Sequence, residues 1–182
     1  MDYKIFGRCE SLAFNIDHFT EWTGRAVSWM TLSMVLLTSV IVTLRYFFEI
    51  GSIALQESLT YMHAIVFLMG AAFTLKRKGH VSVDIFYQNF TLRTKAFIQI
   101  LGTLIFLIPV CIVILVLSWD YVMNSWAIEE VSNEADGLPW VYLLKTLLLL
   151  MPVCLILQGF SELIKNFLLF AKYNKNSLCR KT

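Results

Sequence analysis

Four long stretches without a charged side chain decide what this chain can become. Ala26 to Leu44 is closed by Arg45, Ser58 to Leu75 by Lys76-Arg77-Lys78, and Ala96 to Trp119 by Asp120. The fourth, Thr146 to Ser161, reaches spanning length once Trp140 to Leu144 joins it, which places Lys145 near one end of the helix. About 18 or more apolar residues cross a bilayer core of about 30 Å as a helix. In lipid a helix satisfies its own backbone polar groups, which an open strand does not. The expected fold is therefore an all-α integral membrane protein, one membrane domain over residues 1–182, with spans at about 26–47, 57–75, 96–119 and 140–162.

Composition agrees. Hydrophobic residues make up 58% of the 182 and charged residues 15%, against roughly 45–50% and 25% in soluble domains. A soluble fold of this size cannot hide so much apolar surface. With 8 Gly and 3 Pro the chain is neither collagen-like nor disordered, and a net charge of +2 does not suggest a nucleic-acid binder. Cys9, Cys111, Cys154 and Cys179 are scattered, with no CxxC pair and no zinc spacing, so no metal site is expected. Asp2, Lys4, Arg8 and Glu10 interrupt any signal-peptide core at the start.

Charge placement sets the expected orientation. With the N-terminus in the cytoplasm, only Arg45 and Lys145 of the 15 lysines and arginines fall outside. The outer loops instead carry Glu49, Glu57, Asp120, Glu129, Glu130, Glu134 and Asp136. Positive residues stay inside, so both termini are expected in the cytoplasm. Between the second and third spans, Val83, Phe86, Tyr87 and Phe90 form one helical stripe. That segment, about 82–92, is expected to lie in the cytoplasmic interface as an amphipathic helix. Leu12, Ile16 and Phe19 offer a second stripe of this kind between Glu10 and Trp22.

Membrane enzymes and pumps need ionisable or ligating groups at depth. The first and third spans carry no charge, and His63 is the one histidine within a span, too few for a haem held by paired histidines. There is no thiol pair, phosphate loop or nucleophile elbow. The chain is expected to be no enzyme, to bind no cofactor, and to support a partner. Several residues stand out even so. Arg45 and Glu57, at the outer ends of neighbouring spans, either form an ion pair across the hairpin or simply mark their helix ends. Lys145 should find Asp120 or Glu57, or else snorkel to the interface. Lys76, Arg77 and Lys78 anchor the topology and are candidates for anionic lipid headgroups. Gly70-Ala71-Ala72 presents a small surface for close helix approach. The acidic run with Glu129, Glu130 and Glu134 is a solvated face or a docking site for a complementary soluble protein.

Read in order, certain pieces resemble one family: Leu44-Arg45-Tyr46-Phe47-Phe48, Gln56-Glu57, Gly70-Ala71-Ala72, Gly79-His80-Val81-Ser82-Val83-Asp84-Ile85 and Gly137-Leu138-Pro139. At these separations around four spans, the set resembles the small membrane subunit of TRAP transporters (tripartite ATP-independent periplasmic transporters). Ile50 to Glu57 and Val141 to Thr146 look most like the branch labelled mannitol/chloroaromatic type. The resemblance implies four membrane helices with both ends cytoplasmic, in a bacterial inner membrane. It implies a larger membrane subunit that holds the substrate and sodium sites and moves as an elevator against this fixed scaffold. A soluble periplasmic binding protein would deliver an organic acid, a carboxylate or sulfonate, and sodium entry would drive uptake. No catalytic or ion-binding residue carries over. Arg45, Glu57, Gly70, His80, Asp84, Phe86, Pro139 and Lys145 are the candidates for structural or interface roles. The alternative is an independent four-helix membrane protein binding a quinone or haem.

Overall fold

The computed structural model describes residues 2–77 and 90–179, with side chains over 10–77, at 90 and 91, and over 93–170. Every described element is helical. Helix α1 is Asp2–Phe47 and α2 is Ile53–Lys76. Helix α3, Leu92–Gly102, passes through a π-helical stretch, Thr103–Leu107, and resumes as α4, Ile108–Ala127. Helix α5 is Val141–Cys179. Four apolar helical rods long enough to cross a membrane result, with α3 and α4 forming one of them.

Helix α1 is a single rod of 46 residues, about 69 Å at 1.5 Å per residue, more than twice the bilayer core. The segment Glu10–Trp22, in which a second amphipathic stripe is expected, is part of the same rod as the first span. Of the stripe expected there, Leu12 and Phe19 point away from the bundle, while the buried positions are Ala13, Thr20 and Gly24. The reason is the next layer of packing. Small and polar residues at 13, 17, 20 and 24, one face of the helix, meet α5 and α2, and this contact carries the helix well beyond the apolar run. Helix α5, with 39 residues, likewise outruns the expected end near 162.

Helix starts follow ordinary capping. Ser52 accepts from Leu55 N–H (3.4 Å) at the start of α2, and Thr91 accepts from Thr94 N–H (3.3 Å) at the start of α3, each satisfying an orphan donor. Thr91 is extended and Phe90 sits in a bend, so the expected interfacial helix cannot reach 92. The rest of that segment, with His80, Asp84 and Phe86, lies outside the described residues. Pro109 is the second residue of the helix after the π stretch. It has no N–H to give and its ring crowds the carbonyl four residues back, which accounts for the widened turn before it.

The chain runs up and down. α5 is the central rod, packing against α1, α2 and the α3–α4 rod, while α1 also lies along α2. One end of the bundle, the hairpin end, carries the connections 48–52 and 128–140. The other, the terminal end, carries the start of α1 and the ends of α2 and α5. At Gly24 the first two helices come so close that a Cβ would overlap the ring of Phe73. At Gly70, expected at such a seam, a Cβ would meet Val27 of α1 at an ordinary 3.9 Å. Gly70 therefore packs within this chain.

Candidate functional site

The polar side chains gather at the two ends of the bundle, and each end is clasped differently. At the hairpin end the organising group is Glu57, one turn into α2. One carboxylate oxygen accepts from the Ser132 hydroxyl, the other from Leu138 N–H at 2.6 Å. The loop is closed on itself as well: Ser132 N–H bonds Leu138 O (3.2 Å), Gly137 N–H bonds Glu134 O (3.1 Å), and Glu134 N–H bonds the Ser132 hydroxyl (3.2 Å). A Cβ on Gly137 would collide with the Ser132 side chain and sit 3.0 Å from a Glu57 oxygen. Glycine here leaves the Ser132 side chain its place beside the carboxylate. The structure thus joins Glu57, Gly137 and the flank of Pro139, three positions far apart in sequence, in one knot. The Arg45–Glu57 ion pair that the sequence allows is not made, because both Glu57 oxygens are taken by the loop. Arg45 is exposed and borders a shallow cavity with Ser52 and Gln56.

Lys145, in the first turns of α5, pairs with Glu130 rather than Asp120 or Glu57, and its ammonium lies 4.1 Å from the centroid of the Tyr121 ring. The turn after α4 explains the partner: Glu129, in the left-handed region at φ 45°, and the bond from Glu130 N–H to Ser125 O (3.0 Å) swing the chain back over the helix end. The Lys145 hydrogen bond holds the Glu130 carboxyl below its ordinary value. The Trp126 indole N–H bonds the Thr146 hydroxyl (2.9 Å) and packs edge-on against Tyr142 (4.8 Å). Of the acidic docking candidates, Glu129 and Glu134 remain exposed, whereas Glu130 is spent on Lys145.

The terminal end holds a larger cluster, of which only Lys76 and Arg77 stand out in the sequence. Glu21 of α1 accepts from Lys76 (2.7 Å) and Arg77 (2.5 Å) at the end of α2, and Lys76 also donates to Asp17 O (2.8 Å). Arg77 rests over Phe73, 5.2 Å from the ring centroid. Two of the three lipid-headgroup candidates therefore have protein partners; the third, Lys78, lies outside the described residues. Beside them, Asp17 accepts from Ser161 (2.7 Å), Gln158 (3.1 Å) and Lys165 (2.6 Å) on α5, and Thr20 donates to Gln158 (2.8 Å). Gln158 and Ser161 are completely buried. Buried polar groups are costly unless bonded, and here each finds a partner on α1. The signal was present in the sequence as Gln158, Ser161 and Lys165 at i, i+3 and i+7 on an otherwise apolar helix.

Chemically these arrangements fix helix ends. Among the described residues no three His, Cys, Asp or Glu side chains gather as a metal site.

Residues 34–169 match the family model described as "Tripartite ATP-independent periplasmic transporters, DctQ component". The chain is 26% identical over 139 residues to the C4-dicarboxylate TRAP transporter small permease protein DctQ of Vibrio cholerae. That match covers 76% of this chain and 56% of the relative, so the chain spans little more than half of that protein's length. No solved structure matches. Four apolar rods and this match describe a multi-pass protein of the bacterial inner membrane. The family model covers most of the chain, and the chain belongs to the DctQ components of the tripartite ATP-independent periplasmic transporters, which are transporter subunits and not enzymes.

Proposed function

We propose that this chain is the small scaffold subunit of a sodium-driven uptake system, holding a larger elevator-type membrane subunit while a periplasmic binding protein delivers an organic acid. The observation that carries the reading is the double clasp. Both ends of the bundle are tied: Glu57 and Lys145 hold the 128–140 loop against α2 and α5 at one end, and Asp17 and Glu21 join α1 to α5 and α2 at the other. A body tied at both ends suits a fixed support, against which a moving partner can work. The name of the Vibrio relative supports a carboxylate cargo, and the resemblance of Ile50–Glu57 and Val141–Thr146 favours the mannitol/chloroaromatic branch within the family. In this reading the whole chain is one membrane domain, the hairpin end faces the periplasm, and Glu129 and Glu134 lie on the surface offered to the binding protein.

The orientation is directly testable. Reporter fusions after Lys78 and after Lys175 should read cytoplasmic, and fusions near Gly51 and Glu134 periplasmic, because 13 of the 15 lysines and arginines then lie inside. A periplasmic reading after Lys78 would invert the bundle and remove the acidic loop from the binding protein's side.

A further inference from the structure

Between Ala54 and Lys76 of α2, only Gln56, Thr60, His63 and Phe67 are exposed. Their spacing of four, three and four residues places them in a single stripe along the helix. At His63 the stripe is polar where a lipid-facing surface should not be. His63 is the eleventh of the 24 residues of α2, close to the middle of the span. Its ring stacks on Phe67, centroids 6.4 Å apart, and Phe67 is itself 72% exposed. Thr60 returns its hydroxyl proton to Gln56 O (3.2 Å), so it is satisfied within the helix. Gln56 and His63 have no side-chain hydrogen bond among the described residues. The exposed face of the third rod differs: Ile105, Phe106, Val110, Val113, Val116 and Leu117 present only hydrocarbon, which lipid tails accept without loss.

We infer that the Gln56–Thr60–His63–Phe67 stripe is the seam with a second membrane protein, whose facing transmembrane helix carries hydrogen-bonding side chains at the depth of His63. A neutral imidazole offers one donor and one acceptor, and the Gln56 amide offers both. Acyl chains can meet neither need of the His63 ring, and polar groups at depth turn towards protein or a water-filled cavity; Gln56 lies at the outer end of the stripe, beside Arg45 and Ser52. Phe67, one turn further along, gives the seam an apolar anchor. The occupant we assign is the large membrane subunit. The inference rests on the proposed function to that extent, and goes beyond it in naming the face.

The test uses the chain co-expressed with the large TRAP membrane subunit. A benzophenone amino acid replaces Thr60, His63 or Phe67 in one set and Val113 or Val116 in another. The first set should cross-link to the large subunit and the second should not. His63→Leu should reduce the co-purified large subunit roughly three- to tenfold, the range that interhelical hydrogen bonds give in membranes, with the chain's own yield and helicity unchanged. Cross-links from 113 and 116 alone, with the complex intact, would overturn the face and leave the proposed function standing. Cross-links from 60, 63 and 67 solely to a second copy of this chain would overturn the assigned occupant. Failure of the two wild-type subunits to co-purify would overturn the proposed function and the seam with it.

Discussion

Asp17→Ala should lower the unfolding midpoint of the purified chain by about 4–12 °C, the largest effect expected of any single charge removal here. Asp17 is the one acceptor shared by Ser161, Gln158 and Lys165. Without it the amide of Gln158, which is wholly buried, has an unmade donor. Ser161 can still bond Ala13 O (3.2 Å) and Lys165 still has Glu162 (2.8 Å). One buried orphan and one lost charged acceptor together cost about 2–3 kcal/mol, and each kcal/mol shifts a domain of this size by about 2–4 °C. Glu134→Ala, on the exposed loop, should stay within about 0.5 kcal/mol of wild type. Thermal unfolding followed by helicity in detergent measures both. Equal midpoints for Asp17→Ala and wild type would mean that α1 and α5 are not joined at Asp17.

The second large effect should be local. Glu57→Ala removes both anchors of the 128–140 loop at once, and Gly137→Val attacks the same knot from the other side, by placing a branched side chain where a Cβ alone already collides. Overpacking of this kind costs about 1–3 kcal/mol. Both variants should become cleavable within 128–140 at protease levels that leave wild type intact, while the rods stay helical. Glu57→Gln, which keeps one oxygen, should be intermediate. Arg45→Gln should leave the loop as resistant as wild type, because Arg45 takes no part in holding Glu57. A loop loosened by Arg45→Gln and untouched by Glu57→Ala would reverse this assignment and restore the ion pair that the sequence allows.

The spans were legible because an uncharged run is a property of the sequence alone. Their ends were less so. Asp17 and Glu21 look like residues that should end a membrane helix, yet α1 continues through them because their charges are met by Lys165, Lys76 and Arg77 from two other rods. No local pattern shows that meeting. Lys145 teaches the same lesson at the other end. Matching by depth points to Asp120 or Glu57, whereas the left-handed turn at Glu129 brings Glu130 back over the helix. The motif residues fared differently from one another. Glu57 and Gly137 acquire a joint physical reason, a carboxylate and the space it needs, while Gly70 makes only an ordinary contact and Arg45 takes no part in the knot. Gln158 and Ser161 share one face of α5 with Lys165, but read along that helix alone they show no partner. Their role appears only when α1 lies beside them.

The scaffold claim is tested most directly by uptake into liposomes under an inward sodium gradient, with the binding protein and a radiolabelled organic acid supplied outside. Vesicles holding this chain and the large subunit together should accumulate the acid. Vesicles holding this chain alone should accumulate none, and vesicles holding the large subunit alone should lose most of the uptake. Accumulation by this chain alone, or an undiminished rate from the large subunit without it, would contradict the account.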